Sequence, residues 1–217
     1  MTEEQLVHRI IDLYEEARSP HYASKRIVRG TSSCISSATE DLFADYFADK
    51  FKDVEIYVNQ CFTQGRKRVQ PDIALVKDDV VFSIIEIKQD IGWNRNQDEG
   101  VAKNRDLVLG LRGQQRNLPN KYSKEENKKV TFVDDLMRNV ILVSDGNMSA
   151  NRLQQNQRVF KSLRDTHRFL FLTTGKPHPN AYEMSCDERK SAITINHAGM
   201  ESIVEAIRKD MVQAFAG

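Results

Sequence analysis

The run Val80-Val81-Phe82-Ser83-Ile84-Ile85-Glu86-Ile87-Lys88 is apolar at nearly every position and then ends in two charges. A strand with one wet face alternates apolar and polar residues, whereas a run apolar on both faces is the pattern of a strand covered on both sides. Charges at the end of such a strand are expensive to bury. Side chains alternate across a sheet, so Glu86 and Lys88 project from the same face, where ionised groups need a partner, a cation or a cleft. Ile73-Ala74-Leu75-Val76 reads as another short strand and Lys77-Asp78-Asp79 as the turn between the two, which predicts an antiparallel hairpin. A turn centred near Asp79 makes Asp72 and Glu86 cross-strand neighbours.

Two carboxylates side by side at one end of a hairpin repel unless a divalent cation lies between them, and hard oxygen ligands suit Mg²⁺ or Mn²⁺. Lys88, one pleat further on, is then placed to touch a water or phosphate oxygen on that ion. The chain contains three acid-x-Lys tripeptides, of which Glu126-Asn127-Lys128 and Glu188-Arg189-Lys190 lie in charged, polar stretches. Only Glu86-Ile87-Lys88 closes an apolar run, and it follows the only Pro-Asp dipeptide in the chain, Pro71-Asp72. The competing reading is a buried structural ion pair, which charged groups on strands always allow.

Pro71-Asp72 with Glu86-Ile87-Lys88 resembles the motif of the PD-(D/E)xK nuclease superfamily, which includes many restriction endonucleases and Holliday-junction resolvases. The resemblance covers residues 35–115, with the remainder following by element order. It implies an α/β fold with a restriction endonuclease-like core in αβββαβ order, in which helices flank a central mixed sheet of roughly four to six strands. It also implies a Mg²⁺- or Mn²⁺-dependent DNA endonuclease: Asp72 and Glu86 hold the metal, the main-chain carbonyl of Ile87 adds a ligand, and Lys88 activates or orients the attacking water. In that family an acid on a preceding helix often completes the site, and Glu40 is the candidate. Glu40, Phe43, Phe47 and Phe51 share one helical stripe, so the carboxylate points toward the packed side. Ser37-x-x-Glu40 is equally a capping box, a purely structural role.

Elsewhere the pattern predicts an amphipathic helix over 3–17 with Leu6, Ile10 and Leu13 as its stripe, a helix over 37–51 and a strand over 54–58. A helix over 98–112 follows, then a polar, lysine-rich loop from 116 to 130. Beyond it come a strand at 139–144, a helix at 148–164, a strand at 168–173 and a closing helix at 199–215 with Ile203, Ile207 and Met211 on one side. That alternation predicts parallel crossovers. Residues 1–34 are expected as a helical elaboration on an α/β domain spanning 35–217. Thr174-Gly175-Lys176 lacks the earlier glycine and the hydroxyl residue of a phosphate-binding loop, so no nucleotide site is expected there.

With 32 basic and 31 acidic residues the net charge is only +1, so affinity for DNA must come from local patches. The candidates are Lys25, Arg26 and Arg29, then Arg66-Lys67-Arg68 just before the hairpin, then Lys103, Arg105, Arg112 and Arg116 after it. The triplet Arg66-Lys67-Arg68 is equally readable as a solvated loop. Three widely separated cysteines and five histidines without metal spacing argue against a disulfide framework or a zinc site. No stretch approaches a membrane span and the opening residues lack an apolar signal region, so a cytoplasmic protein is expected. Double-strand cleavage requires two sites, which makes a restriction-type homodimer the expected form. A repair or junction-resolving nuclease is the second reading, and an inactive nucleic-acid- or protein-binding module of the same fold is the third.

Overall fold

The computed structural model describes residues 1–18, 34–89, 105–118, 128–147 and 149–216. The fold is mixed α/β, with ten strands among the described residues in one mixed sheet and helices packed against it. Helix α1 (Glu3–Arg18) and helix α2 (Ser36–Lys50) precede strand β1 (Glu55–Val58), the short hairpin β2 (Phe62–Gln64) and β3 (Lys67–Val69), and the hairpin β4 (Ile73–Lys77) and β5 (Val80–Lys88). Then come β6 (Gln115–Leu118), β7 (Lys128–Phe132), β8 (Arg138–Ser144), α3 (Ala150–Ser162) and β9 (His167–Thr174). The chain closes with α4 (Cys186–Ala192), β10 (Thr194–Ile195) and α5 (His197–Ala214).

Strand β5 organises the molecule. It pairs antiparallel with β4 along one edge and parallel with β8 and β7 along the other. Strand β8 pairs parallel with β9 in turn, so the predicted parallel crossovers are present. Burial explains the composition of the run: residues 81–85 are all buried, because one face packs with α1, α2 and α5 and the other with β6, β7 and the helical turn at 105–109. Leu6, Val7, Ile10 and Ile11 of α1 join the same cluster as Phe43, Phe47 and Ile85, each apolar side chain contributing roughly 1.5–3 kcal/mol. The first helix therefore shares the central core with the hairpin.

Several expectations need correction. Among the described residues the sheet has ten strands rather than four to six, because short, polar or lysine-rich segments pair at its margins. The segment expected as a loop over 116–130 begins and ends in strand: β6 and β7 pair antiparallel, with Leu118, Val130 and Phe132 buried. The flanking lysines masked that alternation. Residues 119–127 lie outside the described residues. So do Lys25, Arg26, Arg29, Lys103 and the first half of the helix expected over 98–112, of which 105–109 are helical. Helix α4 and strand β10 had no counterpart among the expected elements. Ser185 and Glu188 form a reciprocal capping box that starts α4 within the charged stretch that holds Glu188-Arg189-Lys190.

No helix among the described residues is long and apolar enough to cross a membrane. The three cysteines are free thiols.

Candidate metal-binding site

The β4–β5 hairpin turns through Asp78 and Asp79, both with positive φ (48° and 62°), a two-residue turn of the twist that suits antiparallel strands. Next to the turn Lys77 pairs with Val80 and Val76 with Val81. Continued unbroken, that register would set Ile85 opposite Asp72. A β-bulge between Leu75 and Val76 inserts Phe82, and beyond it Leu75 faces Ser83 and Ile73 faces Ile85. The next positions along the ladder are Asp72 and Glu86. The expected juxtaposition is therefore present, and a bulge rather than the turn alone produces it. A one-residue slip moves every side chain to the other face, so the bulge also decides that Glu86 and Lys88 share the face of Asp72.

Asp72 is fixed by its surroundings. Its Oδ2 accepts a hydrogen bond from the Ile87 N–H at 2.7 Å, and its main-chain carbonyl accepts from Asn59 N at 2.8 Å. Burial and the adjacent Glu86 carboxylate push the Asp72 carboxyl up to about 6, and Glu40 adds to the rise; the Ile87 N–H and the Lys88 ammonium oppose it. Glu86 moves the other way. Burial raises its pKa, but Arg138 and Lys88 more than offset this and hold the carboxyl below the usual range. Arg138 Nη2 donates to Glu86 Oε2 at 2.5 Å, while Lys88 Nζ donates to Oε1.

Glu40 reaches the same place from α2. The helix begins one residue earlier than expected, its N-cap is Ile35, and no side chain caps it, so Glu40 has no capping role. Instead Glu40 is buried and accepts a hydrogen bond from Asn59 Nδ2, with Phe43, Phe47 and Phe51 buried along its stripe as expected. Ser36, Glu40, Asp72, Ile87, Lys88 and Gln89 line a recess of about 320 Å³. A larger cavity of about 730 Å³, lined by Gly146, Lys176, His178 and Tyr182 among others, shares no residue with it.

Two participants escaped the sequence reading. Asn59 sits in the left-handed region (φ 50°) just after β1 and ties Glu40 to the Asp72 backbone; its signal was an asparagine, a residue that tolerates this conformation, at a strand end. Arg138 opens β8, in which every residue is buried, and a charge there was the available hint.

The basic residues scatter. Arg66, Lys67 and Arg68 are exposed on the β2–β3 hairpin, Arg66 in its turn and the other two in β3, and β3 ends the sheet. Arg105 pairs with Asp165 at 2.5 Å, and Arg112 is spent on the carbonyls of Leu136 and Asp165. Arg116 is buried, with one nitrogen donating to the Gly110 carbonyl.

Among the described residues no three His, Cys, Asp or Glu side chains converge closely enough to hold a metal ion. Glu86 is engaged by Arg138 and Lys88, and Glu40 by Asn59. What does converge on the recess is a pair of acids, Asp72 and Glu40, beside the end of β5 that carries Ile87 and Lys88. No protein-family model and no curated protein matches the chain.

Proposed function

We propose that the chain is a Mg²⁺- or Mn²⁺-dependent DNA endonuclease that hydrolyses phosphodiester bonds, of restriction type and acting as a homodimer, with the restriction endonuclease-like core its sequence resembles. The observation that carries this reading is the bulge-set register of β4 and β5, which brings Asp72 beside Glu86 with Lys88 on the same face. The acids fit a hard cation: Asp72 stays protonated to about pH 6 through burial and its acidic neighbour, a repulsion that a divalent ion would relieve. Asp72, Glu86 and the Ile87 carbonyl would hold the ion, with Glu40 across the recess, and Mg²⁺ keeps several waters where protein ligands are few. When bound, such an ion lowers the pKa of its water and neutralises charge developing on phosphorus.

The remaining work falls to the chain's own residues. The Ile87 N–H and the Asn59 N–H orient Asp72 from both ends. Lys88, half exposed at the strand end, is placed to orient the attacking water or a phosphate oxygen. Arg66, Lys67 and Arg68, exposed on the hairpin leading into Asp72, would position the DNA backbone without reading sequence.

A second reading rests on a specific observation. The Glu86 carboxylate is already neutralised by Arg138 and Lys88, the arrangement of a structural ion pair, and this favours an inactive member of the fold that binds nucleic acid or protein. Incubation of the purified protein with supercoiled, linear and branched DNA, with Mg²⁺ or with chelator, separates the readings. Divalent-dependent cutting is expected, with discrete fragments for a restriction enzyme and preference for branched substrates for a repair or junction nuclease. Binding without cutting in Mg²⁺ and Mn²⁺ would establish the inactive module.

A further inference from the structure

Arg138 opens β8 one strand away from Glu86 and on the same face, since Ile84 pairs with Arg138 and Glu86 with Val140. Its guanidinium meets Glu86 Oε2 at 2.5 Å, and the two side chains are only 11% and 12% exposed. Solvent screens the pair little. Lys88, on the other carboxylate oxygen, is 47% exposed and sits at the end of its strand. A cation arriving at Glu86 can therefore displace Lys88 into solvent, whereas Arg138 has no comparable exit. Asp72 is restricted in the same way, because Oδ2 is held by the Ile87 N–H at 2.7 Å. Each acid thus has one oxygen outside these fixed contacts: Asp72 Oδ1, and Glu86 Oε1 once Lys88 leaves it.

Two-metal phosphodiesterase sites hold their ions about 3.5–4 Å apart and need enough carboxylate charge to tolerate both. Here Glu40, Asp72 and Glu86 carry three negative charges and Lys88 and Arg138 two positive ones. One divalent ion brings this group to +1 and two bring it to +3 inside a partly buried recess. We infer that Arg138 is a positioning residue that withholds one oxygen of Glu86 and limits the site to a single divalent cation. The inference rests on the metal-dependent reading of Asp72 and Glu86, and names its stoichiometry.

Titration calorimetry of the full chain with Mn²⁺ alone, with no DNA present, tests it. One Mn²⁺ per chain is expected for the wild type, and none at this site for Asp72→Asn. Arg138→Gln, which keeps a hydrogen-bond donor but loses the charge, should tighten the first ion roughly tenfold and admit a second. Arg138→Lys, which keeps the charge, should remain at one. Electron paramagnetic resonance of the wild type titrated to two Mn²⁺ per chain gives an independent count that needs no folded variant, with the six-line signal of free Mn²⁺ expected to grow in fully after the first equivalent and no spin-coupled pair. Two ions in the wild type, or a spin-coupled pair, would overturn the inference and leave the metal-dependent reading standing. One ion in both wild type and Arg138→Gln at equal affinity would remove Arg138 as the limiting group. Absence of saturable Mn²⁺ binding would overturn the reading of the site and this inference with it.

Discussion

The sheet buries charge on both of its faces, and the two places handle it differently. On the face covered by α5, Arg168 and Asp210 meet through two parallel contacts of 2.5 and 2.7 Å, one cation against one anion, with Asn139 extending the network to Ser83. On the opposite face, at the end of β5, Glu86 is shared between Arg138 and Lys88 while Asp72 lies beside it, with Glu40 nearby. The first arrangement is closed and balanced and ties a helix to a strand. The second has an acid in excess, and burial together with that surplus pushes the pKa of Asp72 up to about 6. A perturbed carboxyl inside a recess is what the proposed metal site calls for.

Substitutions sharpen that contrast, beginning with the largest effect. Lys88→Ala should lower Mg²⁺-dependent plasmid cleavage by about 10²–10⁴-fold, the range for positioned proton-transfer or water-orienting groups, while leaving the thermal transition unchanged. An undiminished rate would take Lys88 out of the chemistry. Asp210→Ala should do the reverse. Leaving Arg168 partly buried without its partner should cost about 3–5 kcal/mol in urea unfolding, with cleavage per folded molecule preserved.

Asp72→Asn should stabilise the metal-free protein. A carboxyl whose pKa is raised on folding binds more protons in the native state than in the unfolded one, so native stability falls as pH rises from about 4 to about 6 and stays low above that. Removing the charge should restore about 1–2 kcal/mol at pH 7.5 and almost nothing at pH 4, and Mg²⁺ should raise the melting temperature of the wild type alone. Equal stabilities at both pH values would mean that Asp72 is not under the strain inferred. The smallest effect concerns His167, which burial and then Arg138 pull down to about 4. Its neutral form is the native one, so stability should be lost as pH falls from about 6.5 to about 4. His167→Gln should flatten that limb by about 1 kcal/mol in a pH series of unfolding midpoints.

The long apolar run was legible because burial on both faces leaves no ambiguity of period, and the helices at 3–18, 36–50 and 197–214 followed from apolar stripes. The Asp72–Glu86 juxtaposition was legible only in part. The turn and the strand lengths were readable, but the bulge at Phe82 that corrects the register has no local marker, because Phe82 is as apolar as its neighbours. Arg138 was missed for a different reason. Its role depends on a parallel pairing across 52 residues of sequence, which no window along the chain reveals. Asn59, which links Glu40 to the Asp72 backbone, depends likewise on contacts with α2 and the start of β4. Short marginal strands such as β3 and β6 are set by the neighbours they pair with more than by their own residues.

Crystals soaked in Mn²⁺ and measured at the manganese absorption edge test the central claim most directly. The account predicts one anomalous peak at about 2.0–2.3 Å from a carboxylate oxygen of Asp72 and one of Glu86, with Lys88 displaced from Glu86 and Arg138 still in place. A saturating soak that leaves the Lys88–Glu86–Arg138 contacts intact, with no peak between the two acids, would contradict it.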